Sequence, residues 1–398
     1  MKQSQIIALD KKYLLSAYSK SIAIDHGIGS FLYSSDGKKY IDFIGGVATC
    51  SVGHCNKVVI SALIKQAKKI LNQSNLYYSE PQVLLAKELS SLSGIRGSRV
   101  FFSNSGTEAN ECAIKLARLC TGKQKIISTQ NAFHGRTYGS LSATWDSDFK
   151  KLFEPLVPGF SFVPFGDISA IEKELDSSTA AIILEPIQGE AGVVVPPDGY
   201  LQQVAKLCAE KGVLLIIDEI QTGNGRTGKF FCYQHEEIKP DIVTIAKGLA
   251  NGVPIGVTIA RKGLNFKPKV HGSTFGGNAL ACAAALATLK EIKKAMPLVA
   301  KKGVFFKSML EKGVPEFFSE VRGKGLMLGA ELVPALHGNN AKKIVSVCAA
   351  NGLLVNCCHG KTLRFLPPLT ITEKELESGT KILFRSLKSV MRSRKKIA

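Results

Sequence analysis

A lysine ends an apolar run in the middle of the sequence, and a glycine follows it directly. The run is 242–246, and Lys247 and Gly248 come next. A lysine that simply closes a strand uses its long stem to carry the ammonium to water. A lysine enclosed at low dielectric loses its proton more easily, and its neutral amine can condense with a carbonyl compound. Position alone leaves both interpretations open.

A carboxylate ends the neighbouring apolar run. Asp218 follows 213–217, the most apolar stretch, and Gln221 lies three residues later. An unpaired carboxylate at the end of a buried strand is costly, so we expect a cationic partner. A protonated pyridine nitrogen would serve, and Gln221 could donate to an oxygen on the same ring. A helix cap or an arginine partner is the alternative.

Two polar segments could bind phosphate. The segment SNSGTEAN, 103–110, separates a strand-like run from a helical one, so it can present donors at the positive end of a helix dipole. An ordinary helix cap explains this motif equally well. The loop HGSTFGGN, 271–278, offers a second set of polar groups. Together the segments could supply a phosphate site, a carboxylate for a ring nitrogen and an amine for an aldehyde, which pyridoxal 5'-phosphate requires.

The elements that would position these groups follow an α/β pattern. Between about 82 and 260, short apolar runs alternate with amphipathic stretches, which is typical of a parallel sheet buried on both faces. Ligands bind such sheets at the carboxyl ends of the strands. The predicted strands are 100–102, 125–128, 180–184, 213–217 and 241–245, and the predicted helices include 108–119 and 200–211.

The flanks of the chain differ from its centre. Residues 31–42 read as a hairpin with its turn at Asp36 and Gly37, and an alanine-rich helical stretch begins after residue 276. A chain of 398 residues also exceeds the roughly 250 to 300 residues at which single cores stop growing. We therefore expect boundaries near residues 55 and 276.

Composition narrows the class of protein. The 52 Lys and Arg against 32 Asp and Glu give a formal net charge of +20, but the basic clusters lie far apart without interleaved aromatics, so we expect no nucleic-acid partner.

No apolar segment approaches the roughly 18 to 20 residues that span a bilayer, and no signal or transit peptide is evident. We expect no membrane partner and a cytoplasmic location. None of the ten cysteines forms a CxxC pair, so we expect no metal.

Over nearly its whole length the chain resembles the class III aminotransferases of fold type I. The order and spacing of the motifs carry the resemblance, and the main ones are FFSNSGTEANECAIKLAR, FHGRT, ILEPIQGEAG, DEIQTGNGRTG, PDIVTIAKGLANGVPIG, HGSTFGGN and LRFLPPLTI. The family's fold has a large domain, with a mostly parallel central sheet covered by helices, and a smaller α+β domain built from both termini. The resemblance implies small-domain segments at 1–55 and 277–398 and a large pyridoxal-phosphate-binding domain at 56–276.

The resemblance also implies roles for individual residues. Lys247 and Asp218 would be catalytic, with Lys247 as the amine that joins the cofactor aldehyde and Asp218 on the pyridinium proton. The implied cofactor-binding residues are Gly106, Thr107, Phe133, Asp218, Gln221, Lys247 and Thr274. In the family, Thr274 reaches the cofactor phosphate of the neighbouring subunit, which implies a homodimer with shared active sites.

The substrate residues implied by the family are Arg136, Ser273, Glu190 and Arg364. Arg136 would hold the distal carboxylate of the substrate, while Arg364 pairs with Glu190 until the α-carboxylate of 2-oxoglutarate replaces it. The implied reaction transfers the terminal amine of N2-acetyl-L-ornithine to 2-oxoglutarate. It gives N-acetylglutamate 5-semialdehyde and glutamate, a step of arginine biosynthesis.

Other donors stay open within the family: succinylornithine, ornithine, 4-aminobutyrate and acyl-diaminopimelate. The aliphatic Val47 stands where ornithine-using relatives carry a tyrosine, which favours an acylated ornithine. A remote alternative is an NAD-dependent dehydrogenase, because Gly223 to Gly228, GNGRTG, matches the dinucleotide fingerprint. That fingerprint must join a strand directly to a helix, and here DEIQT intervenes.

Overall fold

The structure of the protein, a computed structural model, describes residues 1–395; residues 396–398, at the end of the predicted C-terminal domain, lie outside the described residues. The helices are α1 (Gln3–Tyr13), α2 (Gly45–Ala48), α3 (Lys57–Ala67), α4 (Glu80–Ser93), α5 (Gly106–Thr121), α6 (Tyr138–Ala143), α7 (Ser147–Lys150), α8 (Ile168–Glu174), α9 (Tyr200–Lys211), α10 (Ala279–Ala295), α11 (Val299–Glu311), α12 (Asn339–Ala350) and α13 (Glu373–Lys395). The strands are β1 (Ile24–Ile28), β2 (Phe31–Ser34), β3 (Lys39–Asp42), β4 (Arg99–Ser103), β5 (Lys125–Thr129), β6 (Phe160–Val163), β7 (Thr179–Leu184), β8 (Leu214–Asp218), β9 (Ile242–Ile245), β10 (Gly256–Ala260), β11 (Phe318–Lys324), β12 (Met327–Leu332), β13 (Leu353–Leu354), β14 (Asn356–Cys358) and β15 (Thr362–Phe365).

A seven-stranded sheet forms the centre of the molecule, in the order β4-β10-β9-β8-β7-β5-β6. The pairs β9-β8, β8-β7, β7-β5 and β5-β6 are parallel, and β10 runs antiparallel to both β4 and β9. One strand therefore opposes the other six. The prediction of an α/β fold with a mostly parallel central sheet is confirmed.

Both faces of this sheet are covered, because alternate residues of its strands belong to two different apolar clusters. In β8, Leu215 and Ile217 belong to one cluster, and Leu214 and Ile216 to the other. Buried residues of α9 join the first cluster, whereas those of α5 join the second. Strands β7, β8 and β9 are accordingly buried at every position, as parallel strands under two layers of helices must be.

Two four-stranded sheets flank the central one. The predicted hairpin is confirmed, since β2 and β3 pair antiparallel in the order β1-β2-β3-β13. Strand β13 lies parallel to β3, so segments from both ends of the sequence share this sheet. The other sheet has the order β11-β12-β15-β14. The domain boundaries at 55 and 276 stay a prediction. Within the described residues, every helix is too short or too polar to cross a membrane.

Candidate active site

Lys247 follows strand β9 and begins a single 3-10 turn, Lys247–Ala250. Its φ is +37°, in the left-handed region that residues with side chains rarely adopt. A Cβ on Gly248 would collide with the hydroxyl of Ser51, so the residue directly behind the lysine must be glycine. The sharp turn lets the stem of Lys247 leave the strand end and line a cavity.

The environment of the Lys247 amine favours its neutral form. Burial is the main cause that lowers the pKa of Lys247 below its ordinary value, and the charge of Arg364 acts in the same direction. The carboxylates of Glu190, Asp218 and Glu185 oppose this shift without reversing it. Among the described residues, the amine has no hydrogen-bond partner, so it is available to a molecule in the cavity.

Asp218 lies at the last position of strand β8 and is 3% exposed. Its Oδ2 accepts a hydrogen bond from Asn110 Nδ2 at 2.7 Å and lies 2.8 Å from His134 Nδ1. Asn110 is oriented in turn by Thr244 on β9, whose hydroxyl donates to Asn110 Oδ1 at 2.8 Å. Asp218 is therefore fixed by Asn110 of α5 and by His134 of the loop after β5, and no arginine or lysine is hydrogen-bonded to it in the described part of the chain.

The first turn of helix α5 faces the same cavity. Ser105 is the N-cap, and its hydroxyl accepts a hydrogen bond from the backbone N–H of Glu108. The N–H groups of Gly106 and Thr107 have no acceptor among residues 1–395, as expected for the first turn of a helix. A Cβ on Gly135, whose φ is +141°, would collide with the hydroxyl of Thr107. The first turn of α5 and the loop that contains Gly135 thus pack closely together at the positive end of the helix, which suits a phosphate.

The cavity has a volume of about 680 Å³, including space open to solvent. Its lining residues are Gly106, Thr107, Phe133, His134, Gly135, Arg136, Glu185, Glu190, Asp218, Ile220, Gln221 and Lys247. Eight of the residues singled out in the sequence therefore surround one cavity. The guanidinium of Arg136 also lies 5.5 Å from the ring centroid of Phe133.

Glu190, which lines this cavity, forms an ion pair with Arg364, which is not among the lining residues. Arg364 Nη1 donates to Glu190 Oε1 at 2.6 Å and to Gln221 Oε1 at 3.2 Å, and Gln221 Nε2 donates to Glu190 Oε1 at 3.2 Å. Burial alone would raise the pKa of Glu190, but the charge of Arg364 and its hydrogen bond bring that pKa below its ordinary value. The pair is thus charged on both sides and shared with a neutral amide.

Ser273 and Thr274 lie outside the lining of this cavity in the single chain. The Ser273 hydroxyl accepts hydrogen bonds from Asn104 Nδ2 at 3.2 Å and from the backbone N–H of Gly276 at 3.0 Å. Thr274 is exposed to solvent. One chain by itself therefore brings together the proposed cofactor groups except Thr274.

Three residues of the site had no role in our sequence analysis: His134, Asn110 and Glu185. The carboxylate of Glu185 accepts hydrogen bonds from the backbone N–H of Phe133 at 3.1 Å and of Gly189 at 3.2 Å. Burial raises the pKa of Glu185 to about 7, and repulsion from Asp218 adds to the shift. Glu185 directly follows β7, so the rule that drew attention to Asp218 at a strand end could have found it.

The segment GNGRTG, Gly223 to Gly228, lies in turns between β8 and a short 3-10 turn, Cys232–His235. A dinucleotide fingerprint requires a helix directly after its glycines, with its N-terminus toward the pyrophosphate. The structure has no helix there, so this segment does not have the form of a dinucleotide site.

Comparison with known proteins gives consistent matches. The profile of the family described as Aminotransferase class-III matches residues 15–387. Acetylornithine aminotransferase from Methanopyrus kandleri is 45% identical over 383 residues, which cover 95% of this chain and 97% of that protein. The crystal structure of acetylornithine aminotransferase from Elizabethkingia anophelis is 36% identical with a TM-score of 0.88, covering 98% of this chain and 100% of that one. Ornithine aminotransferase from Toxoplasma gondii, in a structure with partial occupancy of PLP at its active site, is 34% identical with a TM-score of 0.94, covering 99% of this chain and 96% of that one.

Proposed function

The chain belongs to the class III aminotransferases, and from this premise we propose that it transfers the terminal amine of N2-acetyl-L-ornithine to 2-oxoglutarate. The products would be N-acetylglutamate 5-semialdehyde and glutamate, in a step of arginine biosynthesis. The relatives named acetylornithine aminotransferase support this choice of donor. The aliphatic Val47 supports it as well, because ornithine-using relatives carry a tyrosine at this place.

The cofactor we propose is pyridoxal 5'-phosphate, which supplies an aldehyde that joins an amine and a ring that takes up electrons. The residues present suit this group. The first-turn N–H groups of Gly106 and Thr107 would hold the phosphate, Phe133 would face the ring, and Asp218 would hold the ring nitrogen. Gln221 would donate to the ring oxygen. The amine of Lys247, whose pKa is lowered by burial, would hold the cofactor covalently.

In the proposed reaction, the chain's own groups bind the substrate and move protons. Lys247 Nζ would be released when the donor amine takes its place on the cofactor. It would then move a proton from the substrate carbon that bears the amine to the cofactor carbon that had carried the aldehyde oxygen. Arg136 holds the distal carboxylate through its planar guanidinium. The pair of Arg364 and Glu190 keeps the nearer end uncharged overall while the donor is bound. Ser273 lies outside the lining of this cavity in its own chain, so its contact with the substrate stays a prediction.

We further propose a homodimer with shared active sites. Thr274 is exposed in the single chain, and the neighbouring Phe275 is 59% exposed, which supports a contact with a second copy. In the dimer, Thr274 of each chain would reach the phosphate in the partner. A cytoplasmic location also stays part of the proposal.

One observation carries the proposed function: a lysine whose pKa is lowered by burial, a buried carboxylate and an open helix N-terminus surround one cavity, which Glu190 of the Arg–Glu pair also lines. The test is kcat/KM of the purified protein for N-acetylornithine, ornithine and 4-aminobutyrate with 2-oxoglutarate. Free ornithine brings an ammonium that must be desolvated beside Arg136. We expect N-acetylornithine to exceed ornithine by at least about tenfold, or roughly 1.4 kcal/mol. Equal use of the two donors would contradict the proposed substrate.

A further inference from the structure

Three acceptors hold Arg364, and only one of them carries a charge. Besides Glu190 and Gln221, the side chain of Asn356 takes part, since Arg364 Nε donates to Asn356 Oδ1 at 3.2 Å. An amide oxygen orients a guanidinium without cancelling its charge, whereas a carboxylate does both. Among these acceptors, Glu190 alone therefore decides whether Arg364 is neutralised.

Strand register brings Asn356 to this place. In the antiparallel pair of β14 and β15, Asn356 is the direct partner of Arg364, so the two side chains project from the same face of the sheet. The thiol of Cys358 lies 3.6 Å from the same Oδ1. Donors on both sides require an acceptor between them, which fixes the amide with its oxygen towards Arg364.

Arg364 and Glu190 differ in their freedom to move. The side chain of Arg364 is 2% exposed, whereas that of Glu190 is 34% exposed. Glu190 also lines a second cavity of about 640 Å³, which shares Phe133 with the first and extends to Trp145 and His359. The carboxylate therefore has space to leave the pair, and the guanidinium does not.

We propose that Asn356 is a positioning residue for the α-carboxylate of the 2-oxo acid acceptor, an inference that rests on the proposed function. When Glu190 moves away, Arg364 Nε stays on Asn356 and Nη1 stays on Gln221. The guanidinium then remains in place with its charge unpaired, and a carboxylate of the acceptor replaces Glu190 on Nη1. A neutral residue is required opposite Arg364, because an aspartate there would neutralise the arginine permanently.

The test compares Asn356→Asp and Asn356→Ala with the wild type, and uses Asn339→Asp as the matched control on an exposed residue. Isothermal titration of the cofactor-loaded protein measures Kd for glutarate, which has two carboxylates, and for valerate, which has the same five carbons and one carboxylate. In Asn356→Asp we expect the Kd of glutarate to rise at least about tenfold while that of valerate stays within about twofold. In Asn356→Ala we expect a rise of roughly fivefold, since one orienting hydrogen bond is lost.

The difference between the two ligands separates positioning from a merely structural role. An unchanged glutarate Kd in Asn356→Asp would overturn the proposal, and so would equal weakening of glutarate and valerate. If the aspartate variant does not fold, the same comparison in Asn356→Ala decides the question. A wild type that binds glutarate but does not transaminate 2-oxoglutarate would refute the proposed function instead.

Discussion

The pKa of the Lys247 amine is set mainly by its burial, and three carboxylates and an arginine act on it as well. Burial and Arg364 lower the pKa of Lys247, while Glu190, Asp218 and Glu185 raise it, and burial prevails. The left-handed backbone at Lys247 stores strain in the same turn that aims the side chain into the cavity. Both features are typical of a nucleophile and are costly for a residue that merely closes a strand.

Replacing Lys247 with alanine should therefore abolish transamination. We expect the purified wild type to be yellow and to be labelled at Lys247 by borohydride reduction, which peptide mapping would detect. Lys247→Ala should lose both the colour and at least about three orders of magnitude in kcat, the scale of removing a general acid–base group. The exposed Lys262→Ala serves as the control. A label on another lysine would disprove the assignment.

How far the site could be predicted differs from residue to residue. Lys247 and Asp218 could be predicted from the sequence because a charged residue at the end of a buried strand is unusual, and strand ends meet at one edge of the sheet. His134 and Asn110 could not be predicted, because their importance comes from contacts with Asp218 across 84 and 108 residues of sequence. No spacing in the chain reveals such contacts.

At the scale of elements, the Arg–Glu pair joins the segment after β7 to strand β15. The two segments are 174 residues apart in sequence, and Glu190 is the more exposed partner. If the pair opens as proposed, a local movement of the loop that carries Glu190 would suffice, and the strand that carries Arg364 could stay in its sheet.

Glu190→Gln should change donor choice without destroying the site. The glutamine leaves Arg364 charged and unpaired, so we expect the ratio of kcat/KM for glutamate to that for N-acetylornithine to rise at least about tenfold. The variant Glu210→Gln changes an exposed carboxylate on α9 and should leave the ratio at its wild-type value. An unchanged ranking of donors in Glu190→Gln would rule out the gating role.

Strands that read as continuous apolar runs in the sequence were predicted well. Strands β5, β7, β8 and β9 are confirmed to within a residue or two, because both faces are buried and each reads as an apolar run. Strand β10 (Gly256–Ala260) was not separated from the glycine-rich segment before it, and β14 is only three residues long. Strand β10 pairs with the distant β4 as well as with β9. Strand β14 pairs with the nearby β15, but three residues are too few to show a pattern.

At the scale of the whole molecule, buried carboxyl groups make stability depend on pH. Glu219 is completely buried, and its carboxylate accepts hydrogen bonds from Thr222 and from the backbone N–H of Tyr233. Burial raises the pKa of Glu219 from 4.5 to about 7. Between these two pH values the unfolded chain loses this proton and the folded chain keeps it. The stabilisation is complete below about 4.5 and is lost as the pH rises through about 7.

Glu219→Gln should therefore raise stability at pH 8 and leave it nearly unchanged at pH 5. The amide keeps an acceptor for Tyr233, and its NH2 can donate to the hydroxyl of Thr222. The gain at pH 8 should be on the order of 3 kcal/mol, from a shift of more than two pKa units. Urea denaturation at both pH values measures it, with Glu210→Gln as the control. A variant that is equally destabilised at both pH values would contradict this account.

The surface of the molecule contains an apolar patch that a second copy would cover. The patch, which we call the aromatic patch, consists of Leu76, Tyr77, Tyr78 and Phe275, and these side chains are 59% to 102% exposed. Its two segments are joined by Asn75, whose Nδ2 donates to the backbone carbonyls of Ser273 and Gly276. Exposed apolar patches of this kind mark interfaces. Thr274 lies within the patch, so an interface here would bring it to the partner chain.

Breaking this interface should weaken cofactor binding as well as association. We expect the wild type to have twice the 42.8 kDa mass of one chain in analytical ultracentrifugation. Phe275→Glu should shift it to monomer, because a charge would be buried in the contact. Thr274→Ala should stay dimeric but bind pyridoxal 5'-phosphate more weakly, by at least about tenfold for one lost hydrogen bond to a charged group. Val304→Glu alters an exposed apolar residue on α11 and should change neither property. A fully active wild-type monomer would show that each site is complete within one chain, and Thr274 would then have no role in the cofactor site.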